Sequence, residues 1–92
     1  MKWIEIIELR SAGKTLEQLE IHLQEFLDQL EKETENQTAK LYTRMMIDTD
    51  VSIHLFHDSS KIERRGSSLG LRLVSALKSY CLVNHTIWIE KQ

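Results

Sequence analysis

The sequence predicts an α+β domain with its elements in the order strand, helix, strand, strand, helix, strand. Three observations carry this reading. Two segments repeat apolar residues at i, i+3, i+4, i+7; four others are rich in β-branched and aromatic residues; and polar breaks separate them. A chain of 92 residues leaves little outside these six elements, and size alone predicts one domain over residues 1–92.

Trp3 to Arg10 reads as the first strand, closed by the break Ser11-Ala12-Gly13-Lys14. Thr15 then has the position of an N-cap, with Gln18 three residues on to complete a capping box. Leu16, Leu19, Leu23, Phe26, Leu27 and Leu30 fall on one helical face, and the polar run from Lys32 to Thr38 ends the pattern. Ala39 to Ile47 and Val51 to Phe56 read as two strands joined through Asp48-Thr49-Asp50, whose carboxylates suit a tight turn. His57 to Gly66 is polar without a period and reads as the longest loop. The second helix is expected from an N-cap at Ser67 or Ser68. It buries Leu69, Leu73, Val74, Leu77 and Tyr80, lets Gly70 approach the sheet closely, and ends near Cys81. Val83 to Glu90 is the last strand.

This order is the ferredoxin-like βαββαβ arrangement. Right-handed crossovers make it a four-stranded antiparallel sheet in the order 4-1-3-2 with both helices on one face. Two helices cover one face only, so the side chains of the other face decide what the protein meets.

Alternation along each strand separates the two faces. Leu41, Met45 and Ile47, then Val51, Ile53 and Leu55, then Val83, Ile87 and Ile89 form the expected core set. The opposite set holds Tyr42, Arg44 and Met46, then Ser52, His54 and Phe56, then Asn84, Thr86, Trp88 and Glu90. The first strand is apolar on both faces; Trp3, Glu5, Ile7 and Leu9 are assigned to the open one. That places Trp3, Tyr42, Phe56 and Trp88 where no helix covers them. Each aromatic side chain buries roughly 150–250 Å², so together they exceed the apolar patch a monomer tolerates. A second copy of the chain, or a ligand pocket with Arg44, His54 and Asn84 as polar contacts, would cover them.

Composition narrows the partners. Hydrophobic residues make up 41% and charged residues 28%, as in ordinary globular proteins, and the net charge of −2 gives no electrostatic reason to expect a nucleic acid. Cys81 is the sole cysteine, which excludes an intramolecular disulfide, leaves a cysteine-based metal site without ligands, and points to a reducing, cytoplasmic setting. No segment approaches the ~20 apolar residues of a membrane span, and Met1 to Glu5 lacks the pattern of an export signal.

The element order resembles the dimeric α/β-barrel superfamily, and within it the antibiotic biosynthesis monooxygenase-like domains. So does the closing segment from Ser68-Leu69-Gly70 through Leu77-Lys78-Ser79-Tyr80-Cys81-Leu82-Val83-Asn84-His85-Thr86-Ile87-Trp88. The resemblance implies two protomers packed sheet against sheet and a small aromatic or apolar ligand. It also implies a possible oxygenase reaction without metal or cofactor, since some members oxidise polycyclic aromatic substrates without metal or flavin while others degrade haem. The chain departs from the haem-degrading members: they draw an Asn, Trp and His group from separate elements, whereas Asn84 and Trp88 share a strand. A non-catalytic regulatory or structural dimerisation module is the alternative.

The candidate chemistry follows from side-chain type and placement. His54 is the candidate general base, and Asn84 the candidate donor to a carbonyl or enolate oxygen; an interface role is the favoured reading for each. Trp3, Tyr42, Arg44, Phe56 and Trp88 are the candidate ligand-binding residues. His54 and His57, three apart on a strand, point to opposite faces and do not share a metal. His85 falls in the core-facing set as a hydrogen-bonded histidine. Arg64-Arg65 precede the second helix, where backbone amides attract anions; a solvated charge pair in the loop is the favoured reading. Cys81 reads as a packing residue.

Overall fold

A computed structural model describes residues 1–10, 15–33 and 38–91, with side chains at 1–10, 19–28, 38–47 and 49–91. The elements are β1 (Lys2–Arg10), α1 (Thr15–Glu33), β2 (Thr38–Arg44), β3 (Ile47–Asp58), α2 (Ser68–Leu77) and β4 (Leu82–Ile89). The four strands form one antiparallel sheet in the order β2-β3-β1-β4, the order expected from the sequence. The anticipated break at Ser11–Lys14, the Thr15 and Gln18 cap, and the side chains of Leu16 and Leu30 lie outside what the structure describes.

One apolar cluster joins both helices to one face of the sheet. Leu23 and Leu27 of α1 and Leu69, Leu73, Val74 and Leu77 of α2 meet Ile7, Leu9, Val51, Ile53 and Leu55. Alternation along β3 explains the choice of face: Val51, Ile53 and Leu55 are buried, while Ser52, His54 and Phe56 between them are only partly so. Ser67 caps α2, its hydroxyl accepting from the Gly70 amide at 3.0 Å.

Register corrects the face assigned to β1. Glu5 pairs with Leu55, Ile7 with Ile53 and Leu9 with Val51, and directly paired residues share a face. Trp3, Glu5, Ile7 and Leu9 therefore lie under the helices, and Ile4, Ile6 and Glu8 face outward. Trp3, expected among the ligand-binding aromatics, is 3% exposed; it stacks on His57 and donates from Nε1 to Ser59 Oγ at 2.9 Å. A carboxylate within an otherwise apolar stripe hid the true core face of this strand.

The β2–β3 hairpin also turns earlier than expected. Met45-Met46 make the turn, with Met46 at φ 66°, and both side chains are exposed rather than divided between core and open face. Asp48-Thr49-Asp50 belong to β3 because Asp50 pairs with Arg10 of β1. The extra residues appear as an irregularity between Thr43 and Arg44, where Thr43 pairs with Val51 but Arg44 with Ile47. Ile47, Ile89 and Tyr80, all expected in the core, are exposed, and so is Phe26. Tyr80 escapes because α2 ends at Leu77, and Ile89 because it sits at the far end of an edge strand.

Candidate functional site

The open face is a grid set by register. Across β2, β3, β1 and β4, one row reads Thr38, Phe56, Ile4, Trp88; the next reads Lys40, His54, Ile6, Thr86; the third reads Tyr42, Ser52, Glu8, Asn84. Beyond the first row, Lys2 pairs with Asp58, and the Glu90 amide bonds the Lys2 carbonyl at 2.9 Å. Beyond the third row, the Asp50 carboxylate accepts from Arg10 Nε at 3.1 Å and Arg44 Nη1 at 3.0 Å. The apolar and aromatic residues thus concentrate in the first row, the second and third rows are mostly polar, and mixed charge stands at both ends.

Five of the seven sequence-predicted site residues gather in the three central rows: Tyr42, His54, Phe56, Asn84 and Trp88. Arg44 is drawn to the charged end by Asp50, and Trp3 is on the other face. Ile4, Ile6, Glu8 and Lys40 are open-face residues the sequence reading did not choose. Lys40 was legible, since it alternates in step with Tyr42.

His54 is the centre of this surface. Its ring lies 4.4 Å from the Tyr42 ring and 6.3 Å from that of Phe56. Burial pushes its pKa below the ordinary histidine value, with Glu8 acting in the opposite direction. Asn84 is two strands away and one row over, about 12 Å by strand geometry, so the two candidate catalytic groups do not converge on one atom within this protomer. Ser52 Oγ is buried without a hydrogen-bond partner. Trp88 is half exposed and donates from Nε1 to Thr86 Oγ1 at 2.9 Å.

An open cleft of about 650 Å³ lies at the Phe56 end. Ile4, Phe56 and Trp88 line it with Thr38, Lys2, Lys40, Asp58 and Glu90, and so do Trp3, His57 and Ile89 of the covered set, so the cleft lies at the end of the sheet and Trp3, Phe56 and Trp88 are the predicted site residues that meet there. His54, Tyr42, Arg44 and Asn84 do not line it.

The covered face holds a polar cluster that the sequence reading missed. Glu5 is fully buried, and its carboxylate accepts from the Ser67 amide at the start of α2 through Oε1. Oε2 lies 3.2 Å from His85 Nε2. His57 Nε2 comes within 3.3 Å of Oε1 but without hydrogen-bond geometry, so stacking on Trp3 is its better-defined contact. A Cβ at Gly70 would stand 1.8 Å from Glu5 Oε2, and Gly66 adopts φ 111° against the His85 ring. The signal was present in the spacing of Gly66-Ser67-Ser68-Leu69-Gly70, two glycines around a cap.

His85 is hydrogen-bonded within the covered face, as its strand position implied. The amides of Ser67 and Gly70 are already engaged by Glu5 and Ser67, so the start of α2 gives Arg64 and Arg65, both exposed, no ready anion site to share. Burial raises the Cys81 thiol pKa, and its Sγ donates to the Leu77 carbonyl at 3.4 Å, which opposes thiolate chemistry. Among the described residues, no group of three or more His, Cys, Asp or Glu is placed to hold a metal ion, and no helix is long and apolar enough to cross a membrane.

No family model matches the chain, and neither does any curated protein or solved structure.

Proposed function

We propose that this chain is a ferredoxin-like protomer that pairs with a second copy through its open sheet face, in the manner of a dimeric α/β barrel, and holds a small apolar or aromatic ligand in the cleft between. The observation that carries this reading is the apolar group Ile4, Ile6, Phe56 and Trp88 on a sheet face that neither helix covers. An apolar patch flanked by polar groups suits a protein interface. Because both ends carry both signs, the face opposes a rotated copy of itself without a block of like charge.

Size agrees with this. Four strands at about 4.8 Å spacing and eight residues at about 3.4 Å give a projected area near 500 Å². Side-chain relief brings that toward the roughly 800 Å² per partner of a standard interface. The aromatic contacts of Tyr42 and Phe56 around His54 fit a surface covered by a second chain.

The separation of His54 and Asn84 favours binding over an oxygenase reaction within one protomer. Sedimentation at micromolar concentration tests the proposal: a dimer that becomes a folded monomer in Phe56→Glu supports it, and a wild-type monomer refutes it.

A further inference from the structure

We propose that the hairpin tip Met45-Met46 of each copy packs on the partner's Leu82, in a dimer whose twofold axis runs along the strands between β3 and β1; this rests on the open-face pairing above. Met45, Met46 and Leu82 are 87%, 94% and 74% exposed, the most exposed apolar side chains among the described residues. All three stand at one end of the sheet, since the tip follows Arg44 of β2 and Leu82 opens β4 opposite Arg10. Within one copy they lie two to three strand spacings apart, roughly 10–14 Å, too far to cover one another. Met46 also holds φ 66°, a conformation that suits glycine or asparagine in a two-residue turn. An apolar residue kept there at a local cost points to a contact that one copy alone lacks.

Symmetry supplies that contact. Aligned sheets face each other through a twofold along the strands or a twofold across them. The axis along the strands sets every row opposite itself and exchanges β3 with β1 and β2 with β4. Residues paired across β3 and β1 of one sheet then meet between copies. Phe56 faces the partner's Ile4, Asp58 faces the partner's Lys2, and Asp50 faces the partner's Arg10, so apolar meets apolar and each carboxylate meets a cation. The tip comes over the start of the partner's β4, where Leu82 stands. Methionine is unbranched and adapts to the roughly 30° crossing of aligned sheets. An axis across the strands reverses the rows. With the sheets fully overlapped, it lays Phe56 and Ile4 over the ion pairs of Asp50 with Arg10 and Arg44, which strips water from three charges beneath apolar side chains.

Cross-linking tests the axis. In a Cys81→Ser background, copies carrying Met46→Cys are refolded together with copies carrying Leu82→Cys or, separately, Asp58→Cys, and treated with a short bis-maleimide. All three positions are exposed, so the substitutions spare the core. A cross-linked dimer in the Leu82→Cys mixture and none in the Asp58→Cys mixture is the expected result. The opposite pattern overturns the axis, because reversed rows bring the tip to the Asp58 end. A dimer by sedimentation that cross-links in neither mixture overturns the docking of the tip and leaves the open-face pairing standing; a monomer overturns both. Met46→Gly gives a second readout. Glycine suits φ 66°, so the protomer should melt higher, while self-association weakens about tenfold through the lost apolar contact. Unchanged self-association in this variant overturns the contact.

Discussion

The two faces of the sheet solve opposite problems. The helix-covered face takes a carboxylate, Glu5, out of water entirely and surrounds it with the Ser67 amide and the rings of His85 and His57. The open face leaves Phe56, Ile4, Ile6 and the half-exposed Trp88 without any element above them. Polarity is hidden where the fold supplies partners for it, and apolar surface is presented where the fold supplies none. The covered face supplies partners for its own polar groups; the open face, on the proposal above, takes its cover from a second copy.

That division predicts that substitutions on the covered face destabilise the protomer and those on the open face do not. The largest effect is expected for Gly70→Ala. The new methyl must displace the Glu5 carboxylate, which is fully buried and pinned by its partners, at a cost of more than about 4 kcal/mol. Urea denaturation measures this, and combining it with Glu5→Ala should cost less than the sum of the two, since removing the carboxylate removes the clash. Glu5→Ala alone ranks next. It leaves the Ser67 amide and His85 without their shared acceptor, for a loss of about 3–5 kcal/mol in the same measurement.

Open-face changes come third. Phe56→Ala should lower protomer stability by less than about 1 kcal/mol while weakening self-association by about 2 kcal/mol or more, as loss of an aromatic interface anchor does. Concentration-dependent melting separates the two quantities. A large loss of protomer stability with association unchanged would reverse the comparison.

The smallest effects are ionic. The His54 pKa is depressed by burial, so below the unfolded-state value near 6.5 the unfolded chain binds more protons. Stability contributed by neutral His54 is full above that pH and is lost as pH falls through the lower folded value. A covering partner deepens the burial, so dimerisation should weaken over the same window, with Glu8 and Lys40 also facing the site from β1 and β2. His54→Gln should flatten the dependence in sedimentation at pH 7.5 and 5.5. Asp50 behaves similarly at lower pH. Its hydrogen bond from Arg10, followed by that from Arg44, holds its pKa below 3.8, so its contribution is present above that value and fades as pH falls through the depressed one. Acid titration of the hairpin resonances near Met45-Met46 reads this.

Element order and strand order were legible because period 2 and period 3.6 alternate clearly along the chain. Tyr42, His54, Phe56, Asn84 and Trp88 were placed on one face by alternation alone. The failures have local causes. The first strand is apolar on both faces, and its one charged residue near the centre belongs to the core, so composition pointed outward where register points inward. The hairpin was drawn to Asp48-Thr49-Asp50 because aspartates favour turns; a long-range pairing of Asp50 with Arg10 kept that segment in the sheet instead. The Glu5, His57 and His85 cluster joins three strands, and no single-strand pattern reveals such a contact.

The central claim is that the open face meets the open face of a second copy. An isotope-filtered NOE experiment on a mixed labelled and unlabelled sample tests it most directly. The account predicts intermolecular contacts at Ile4, Ile6, Phe56 and Trp88 and none at Leu73 or Leu77 of α2. A dimer with its contacts confined to the helices, or a sample with no intermolecular contacts at all, would contradict it.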